Sequence, residues 1–267
     1  MLALWKVLKH NFKGKFVEII TSRKNPIVEK TIKIKENGGD FLFLENIKLI
    51  LEAKNALKKF EYVLIEKGKV EYFKLNFPFV FENEYFVLSE DVFSKVCDTK
   101  SPQGIVAVVE FHSVKPDKIE GNFLVLENVQ DPGNVGTIIR SASGTSFKDI
   151  FLIDCVSVLN QKVIRSTMGA IFKENLFSFK SLSDFLEYFK DKNYPLLVAD
   201  MNGENLFEQK KMDKPFGVVI GNEGSGVSNE LKKMATKLVS IPMKNGLESL
   251  NAGVSCSIII YYLDSLK

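Results

Sequence analysis

Ser240-Ile-Pro-Met-Lys-Asn-Gly-Leu-Glu-Ser-Leu-Asn-Ala-Gly-Val-Ser-Cys-Ser-Ile-Ile-Ile-Tyr-Tyr262 is the stretch on which the reading of this chain turns. A strand-like run from Leu238 to Ile241 stops at Pro242, and a polar loop with Gly246 follows. Ser249 and Asn251 then flank Leu250 where a long apolar segment begins. Ser and Asn side chains accept from the free N–H groups of a helix start. Such a terminus also favours an electron-rich ligand. The segment therefore reads as strand, ligand loop, helix.

Two other segments repeat the design. Phe123 to Leu126 is an apolar run, followed by the loop 127–136 and a helical pattern from Thr137. Gly217 to Ile220 leads into Gly221-Asn222-Glu223-Gly224-Ser225-Gly226, with Ser228 placed to cap a helix from Asn229. Three strand-to-helix loops rich in Gly, Asn and Ser imply a parallel α/β sheet, whose ligands sit beyond the carboxyl ends of the strands. The glycines run Gly-x-x-Gly-x-Gly. This is not the dinucleotide order Gly-x-Gly-x-x-Gly, and no Gly-Lys-Ser/Thr follows, so neither NAD nor ATP is indicated. One glycine turn is usually only a turn. Three loops, each carrying polar side chains beside glycine, outweigh that reading.

The three segments resemble the motifs of the SpoU family of RNA ribose 2′-O-methyltransferases, within the SPOUT superfamily. The first motif is carried by Asn128, Asp131-Pro132, Asn134, Gly136 and Arg140, and the second by Gly221 to Gly226. The third is Ile241-Pro242-Met243 with Ser249-Leu250-Asn251. The resemblance spans roughly residues 121 to 267, and Lys162 to Ala170 is similar to a family segment that packs beside the site. Thr145-Ser146 stands where many members have an aromatic-Gly pair, and Ala252-Gly253 replaces the more usual Val-Ser.

The resemblance implies an α/β fold with a knotted parallel-sheet methyltransferase domain, S-adenosylmethionine as cofactor, RNA as partner and a homodimer. It assigns Arg140, Asn134, Glu223, Ser249 and Asn251 to catalysis, and Ala199, Gly221, Ile241, Met243 and Leu250 to the cofactor. Family assignments often make the residue matching Arg140 the base. An ordinary arginine has a pKa of roughly 13, so holding one neutral at pH 7 costs about 8 kcal/mol. The expected role of Arg140 is to bind the ribose-phosphate and polarise the hydroxyl, with Glu223, water or a transiently neutral Arg140 taking the proton. The bland alternatives are a surface arginine, helix caps at Asn134 and Asn251, and a loop-holding Glu223. Two other functions compete: an RNA-binding or ribosome-assembly protein with a degenerate site, and a base methyltransferase.

The amino-terminal part has its own resemblance. Thr21-Ser22-Arg23-Lys24-Asn25-Pro26 looks like the opening of the small α/β/α RNA-binding domain, similar to a ribosomal protein, that precedes many SpoU domains. It assigns Arg23, Lys24 and Asn25 to RNA contact. Asp40 to Lys59 fits a strand-helix unit and Thr99 to Val108 a last strand. The expected organisation is a basic arm over 1–16, an RNA substrate-binding domain over 17–112, a linker over 113–121 and the methyltransferase domain over 122–267. Charge and Pro/Gly content mark that linker independently.

Composition agrees. The 267 residues suit two compact units, and no apolar run approaches the roughly 20 residues of a membrane span. The start reads as a short amphipathic helix or a disordered arm rather than a signal peptide. Cys97, Cys155 and Cys256 are odd in number and far apart, which suggests reduced thiols and a cytoplasmic protein. His10 and His112 are the only histidines and lie outside the motifs, arguing against a metal site or a Ser-His triad. Net charge is only +3, but residues 1–35 hold nine Lys or Arg against two Glu. That surplus suits RNA phosphates, or merely a solvated surface. The 22 Phe residues mostly sit in apolar runs and read as core. Val254 to Leu263 is apolar over much of its circumference, the pattern of a helix buried all round.

Overall fold

The computed structural model describes residues 9–12, 15–99, 101–212, 215–247 and 249–266. The chain divides into two compact units, at His112/Ser113.

In the first unit, β1 (Lys9–Phe12) and β2 (Lys15–Ile20) pair antiparallel, and α1 (Pro26–Asn37), β3 (Phe41–Leu44), α2 (Ile47–Asn55) and β4 (Phe60–Glu66) follow. Then come α3 (Val70–Asn76), β5 (Tyr85–Leu88), α4 (Glu90–Val96) and β6 (Ile105–Glu110). The sheet order is β1-β2-β5-β4-β6-β3, with β2, β5 and β4 mutually parallel and β6 antiparallel to β4 and β3. Alternation of Phe41-Leu42-Phe43-Leu44 does not divide wet from dry, because Leu42, Phe43 and Leu44 are all buried. Part of the expected amino-terminal arm is strand rather than helix, since Lys9–Phe12 pairs with β2. Residues 1–8 lie outside the described residues.

The second unit holds β7 (Phe123–Glu127), α5 (Pro132–Ala142), β8 (Asp149–Ile153), α6 (Gln161–Thr167), β9 (Asn175–Phe179) and α7 (Leu182–Phe189). It continues with β10 (Leu196–Asn205), β11 (Gly217–Ile220), α8 (Asn229–Lys233), β12 (Lys237–Ser240) and α9 (Ala252–Ser265). The sheet is wholly parallel, ordered β12-β10-β11-β7-β8-β9. All of β7 is buried, as expected of a strand covered on both faces. Phe123, Phe151, Phe177, Phe179, Phe185 and Phe189 form one buried ring cluster, so these phenylalanines are core. The parallel sheet is the one the three loops implied, and its strand order accords with the threaded C-terminus of the resemblance.

Three local features refine these expectations. α5 begins at Pro132, not Thr137, because Asp131 caps it: its Oδ1 accepts from Asn134 N–H at 2.9 Å, and Pro132 occupies the first turn without needing a donor. Within the expected linker, residues 116–119 are strapped to the second unit. Ile119 is buried in the core, the Tyr194 hydroxyl bonds both its N–H and C=O, and the Tyr188 hydroxyl donates to Pro116 C=O. Finally, α9 is not buried all round. Ala252, Gly253, Cys256, Ile259, Ile260 and Leu263 are covered, but Val254 and Tyr261 are 45% and 51% exposed.

Close approach fixes two helix pairs. A Cβ on Gly136 would overlap Ser166, so α5 and α6 touch through a glycine. A Cβ on Gly253 would stand 3.2 Å from the Thr137 side chain, and the Ser141 and Ser257 hydroxyls meet at 2.7 Å, which locks α9 against α5.

Candidate active site

The loops after β7, β11 and β12 lie at the carboxyl end of one parallel sheet. The second loop is tied to the first. Asn222 Nδ2 donates to Asn128 C=O at 3.0 Å, while its Oδ1 accepts from the N–H groups of Gly224 and Ser225 at 2.9 and 3.1 Å. Asn128 itself sits in the left-handed region at φ 53°, where Asn is among the residues tolerated. Glu127, almost fully buried, takes the Ser228 N–H at 2.7 Å. Asn222 lies within the second motif, but nothing in the sequence pattern gives it this stapling role.

A Cβ on Gly221 would overlap Gly226 and the Val227 nitrogen, so the missing side chain makes room for the chain's own turn. Asn222 and Gly226 exchange backbone hydrogen bonds across that turn, at 3.2 and 2.9 Å. Glu223 is left exposed at its tip.

One chain of side chains joins all three motifs. Val254 N–H donates to Asn251 Oδ1 at 3.2 Å, capping α9. Asn251 Nδ2 donates to Asn134 Oδ1 at 2.7 Å, and Asn134 Nδ2 donates to the Glu223 carboxylate. The polarity is forced from both ends. A backbone N–H can only donate and a carboxylate can only accept, so each amide between them has a single allowed orientation. Asn134 is buried, whereas Asn251 and Glu223 are exposed. The capping role foreseen for Asn251 is present, and it coexists with the inter-motif contact.

Beside this chain lies a cavity of about 650 Å³. Ala199, Gly221, Glu223, Ile241, Met243, Ser249 and Leu250 all line it, so one wall carries every expected cofactor residue and two of the expected catalytic ones. Asn134 and Asn251 reach it through Glu223. Arg140 does not line it; it is exposed in the last turn of α5, on the helix whose first turn holds Asn134. A smaller cavity of about 450 Å³ lies at the ends of β7, β8 and β9, with Asn128, Asp154 and Lys180 on its rim. Asp200 and Lys232, absent from the motifs, also line the larger cavity.

The larger cavity fits an adenosine-sized group. Its volume lies within the range of small-ligand pockets, roughly 300–1,000 Å³. Its walls alternate loop backbone with Ile220, Ile241, Leu250 and Ile259. Among the described residues no group of three or more His, Cys, Asp or Glu is placed to hold a metal ion. No described helix is long and apolar enough to cross a membrane. The thiols are quiet: burial pushes Cys97 and Cys155 up to about 12, and Cys256, fully buried, is also pushed up.

A model of the SpoU rRNA methylase family matches residues 121–261, the span of the second unit with all three loops. The chain belongs to that family. It is an RNA methyltransferase. An uncharacterised tRNA/rRNA methyltransferase of Synechocystis is 30% identical over 256 residues, covering 91% of this chain and 92% of its own length. The 23S rRNA (guanosine(2553)-2′-O)-methyltransferase RlmP of Bacillus subtilis is 30% identical over 179 residues, 67% of this chain and 71% of that protein. The AdoMet-bound rRNA methyltransferase of Sinorhizobium meliloti superposes with a TM-score of 0.79 over 92% of this chain and 97% of that one, at 23% identity. That likeness speaks for the fold across both units.

The expected RNA contacts of the first unit have partners of their own. Arg23 Nη2 lies 2.8 and 2.9 Å from the two carboxylate oxygens of Asp91, on an open surface where such pairs stabilise little. Asn25 caps α1, accepting from Ile27 N–H at 2.9 Å. Lys24 is exposed.

Proposed function

We propose that the protein transfers a methyl group from S-adenosylmethionine to a ribose 2′-hydroxyl of ribosomal RNA, with large-subunit RNA favoured over tRNA. The observation that carries this reading is the directed chain Val254–Asn251–Asn134–Glu223 beside a cavity of the right size. When bound, S-adenosylmethionine supplies an electrophilic methyl. The residues then have three tasks. Gly221, Ile241, Met243 and Leu250, with Ala199, form the walls that hold the nucleoside end. Asn134, oriented by Asn251, fixes the Glu223 carboxylate at the tip of its loop, where that group or a water it holds can take the hydroxyl proton. Arg140 projects from the same helix as Asn134 and binds the ribose-phosphate as a cation with a planar fork. Ser249, at the cavity edge, offers a further hydroxyl to the target nucleotide. Alignment of this kind is worth several kcal/mol of barrier.

Three further features belong to the same reading. Residues 17–112 serve as the RNA-binding unit, with Arg23 and Lys24 on phosphate and Asn25 shaping their loop. The exposed apolar face of α9, with Val254 and Tyr261, is covered by a second copy in a homodimer. The location is cytoplasmic, in keeping with three unreactive thiols.

Arg140→Lys tests the central assignment. It keeps the charge and loses the fork. Methyl transfer to rRNA is expected to fall at least tenfold while S-adenosylmethionine binding is unchanged, and digestion to nucleosides should yield only ribose-methylated product. Full turnover of Arg140→Lys would remove the positioning role, and a base-methylated product would overturn the ribose assignment.

A further inference from the structure

Two charged side chains outside the three motifs face the larger cavity. Asp200 stands where β10 leaves its regular pairing with β12, at the bulge between Ala199 and Glu204. Its Oδ1 accepts from Asn202 N–H at 2.9 Å, and its Oδ2 lies 2.6 Å from Lys232 Nζ on α8. The carboxylate side chain is only 9% exposed and the lysine 31%. A carboxylate offers about four acceptor directions; Lys232 and Asn202, the latter through its N–H and its side chain, take up part of them, and the group lines a cavity. Its pKa is lowered, chiefly by the Lys232 hydrogen bond, so it stays charged.

Position within the sheet says which part of a ligand it meets. The order β12-β10-β11-β7 puts the end of β10 two strands from the end of β7, about 10 Å at the usual strand spacing. Asn134, Asn251 and Glu223 mark the reacting end. Of these only Asn134 follows β7, while Glu223 follows β11; Asp200 lies next to Ala199 at the bulge of β10 and lines the same cavity as Ile241. A nucleoside brings O–H and N–H donors to that place, whereas the amino-acid tail branches from the sulfur at the reacting end.

We propose that Asp200, aimed by Lys232, is the side chain that accepts a hydrogen bond from the adenosine part of the methyl donor. This rests on the reading of the cavity as the S-adenosylmethionine site. It adds a charged side chain from outside the three motifs to walls that also carry Glu223, Ser249 and aliphatic groups.

Calorimetry on the full chain with two probes tests it: S-adenosylhomocysteine, and 5′-methylthioadenosine, which keeps the nucleoside and sulfur but lacks the amino acid. Asp200→Asn is expected to weaken both by the same factor, about ten- to a hundredfold, the loss of a charge-assisted hydrogen bond. Lys232→Met, a replacement on a short surface helix, leaves the carboxylate but not its aim, and should weaken both probes by a smaller common factor. A loss confined to S-adenosylhomocysteine would mean that Asp200 reads the amino-acid tail, and would overturn the proposal. Unchanged affinities with a lowered melting temperature would reduce the pair to a structural tie between β10 and α8, which overturns it too. If the unaltered chain bound neither probe, the cofactor reading itself would fail, a result separable from the variants.

Discussion

Asn251 does two jobs that a pair of substitutions can pull apart. Its Oδ1 caps α9 and its Nδ2 orients Asn134. Asn251→Ala loses both. The cap is worth about 1 kcal/mol, and a neutral side-chain hydrogen bond about 0.5–1.5 kcal/mol. Asn134 is buried, but its other bond, to Glu223, survives, so the total should be about 1.5–2.5 kcal/mol. Asn251→Asp keeps the cap and adds a carboxylate at a helix N-terminus, a gain of about 0.3–1 kcal/mol. It also replaces the donor facing Asn134 with an acceptor. Asn134 can then satisfy that carboxylate or Glu223, not both, because its one NH2 group points to one side. Stability of the Asp variant should therefore stay within about 1 kcal/mol of the parent. Its methyl transfer should fall as far as that of the Ala variant, about a hundredfold for a site misplaced by about an ångström. Urea unfolding gives the first quantity, and transfer of labelled methyl to rRNA the second. Equal destabilisation by both substitutions would refute the capping argument. Parent-like turnover in the Asp variant would refute the claim that the directed chain positions Glu223.

Three other outcomes follow from the packing. Gly221→Ala forces a methyl into Gly226 and Val227; it should cost about 1–3 kcal/mol and abolish S-adenosylmethionine binding by calorimetry, whereas Gly68→Ala, in the first unit, where the nearest atom to the new methyl would be 3.8 Å away, should spare binding. Gly136→Ala should destabilise by a similar amount despite alanine's better helix propensity, because Ser166 is in the way; adding Ser166→Gly should restore part of the loss in a double-mutant cycle. Glu174 is buried, with its Oε2 unpartnered and Oε1 3.3 Å from Lys148 Nζ, and burial, the largest influence, raises its pKa above 4.5. A raised pKa means that folding favours the protonated form, so this contribution is present below about pH 4.5 and is lost as pH rises through the folded value. Glu174→Gln should remove that slope from urea midpoints and be no less stable than the parent at pH 7; a less stable Gln variant would show that the Lys148 pair outweighs desolvation.

Much of this was legible in the sequence because it depends on local chemistry. Apolar runs ending in Gly-Asn-Ser loops fixed the strand ends at β7 and β11 and the caps at Ser228 and Asn251, since caps and turns are decided by residues a few positions apart. The residues assigned to the cofactor, from Ala199 to Leu250, all line one cavity. The early start of α5 was missed because the Gly-rich motif looks like loop, whereas Asp131 and Pro132 together begin a helix there. Other features depend on what lies across space. That Gly221 yields to Gly226 and Gly136 to Ser166, that Asn222 staples two loops 94 residues apart, and that Asp200 meets Lys232 are relations between segments brought together by a parallel sheet. A parallel sheet joins strands through crossovers, so the order β12-β10-β11-β7 is not the order of the chain. Residue types therefore set which chemistry was at hand, and the packing of strands about 5 Å apart set which of those groups touch.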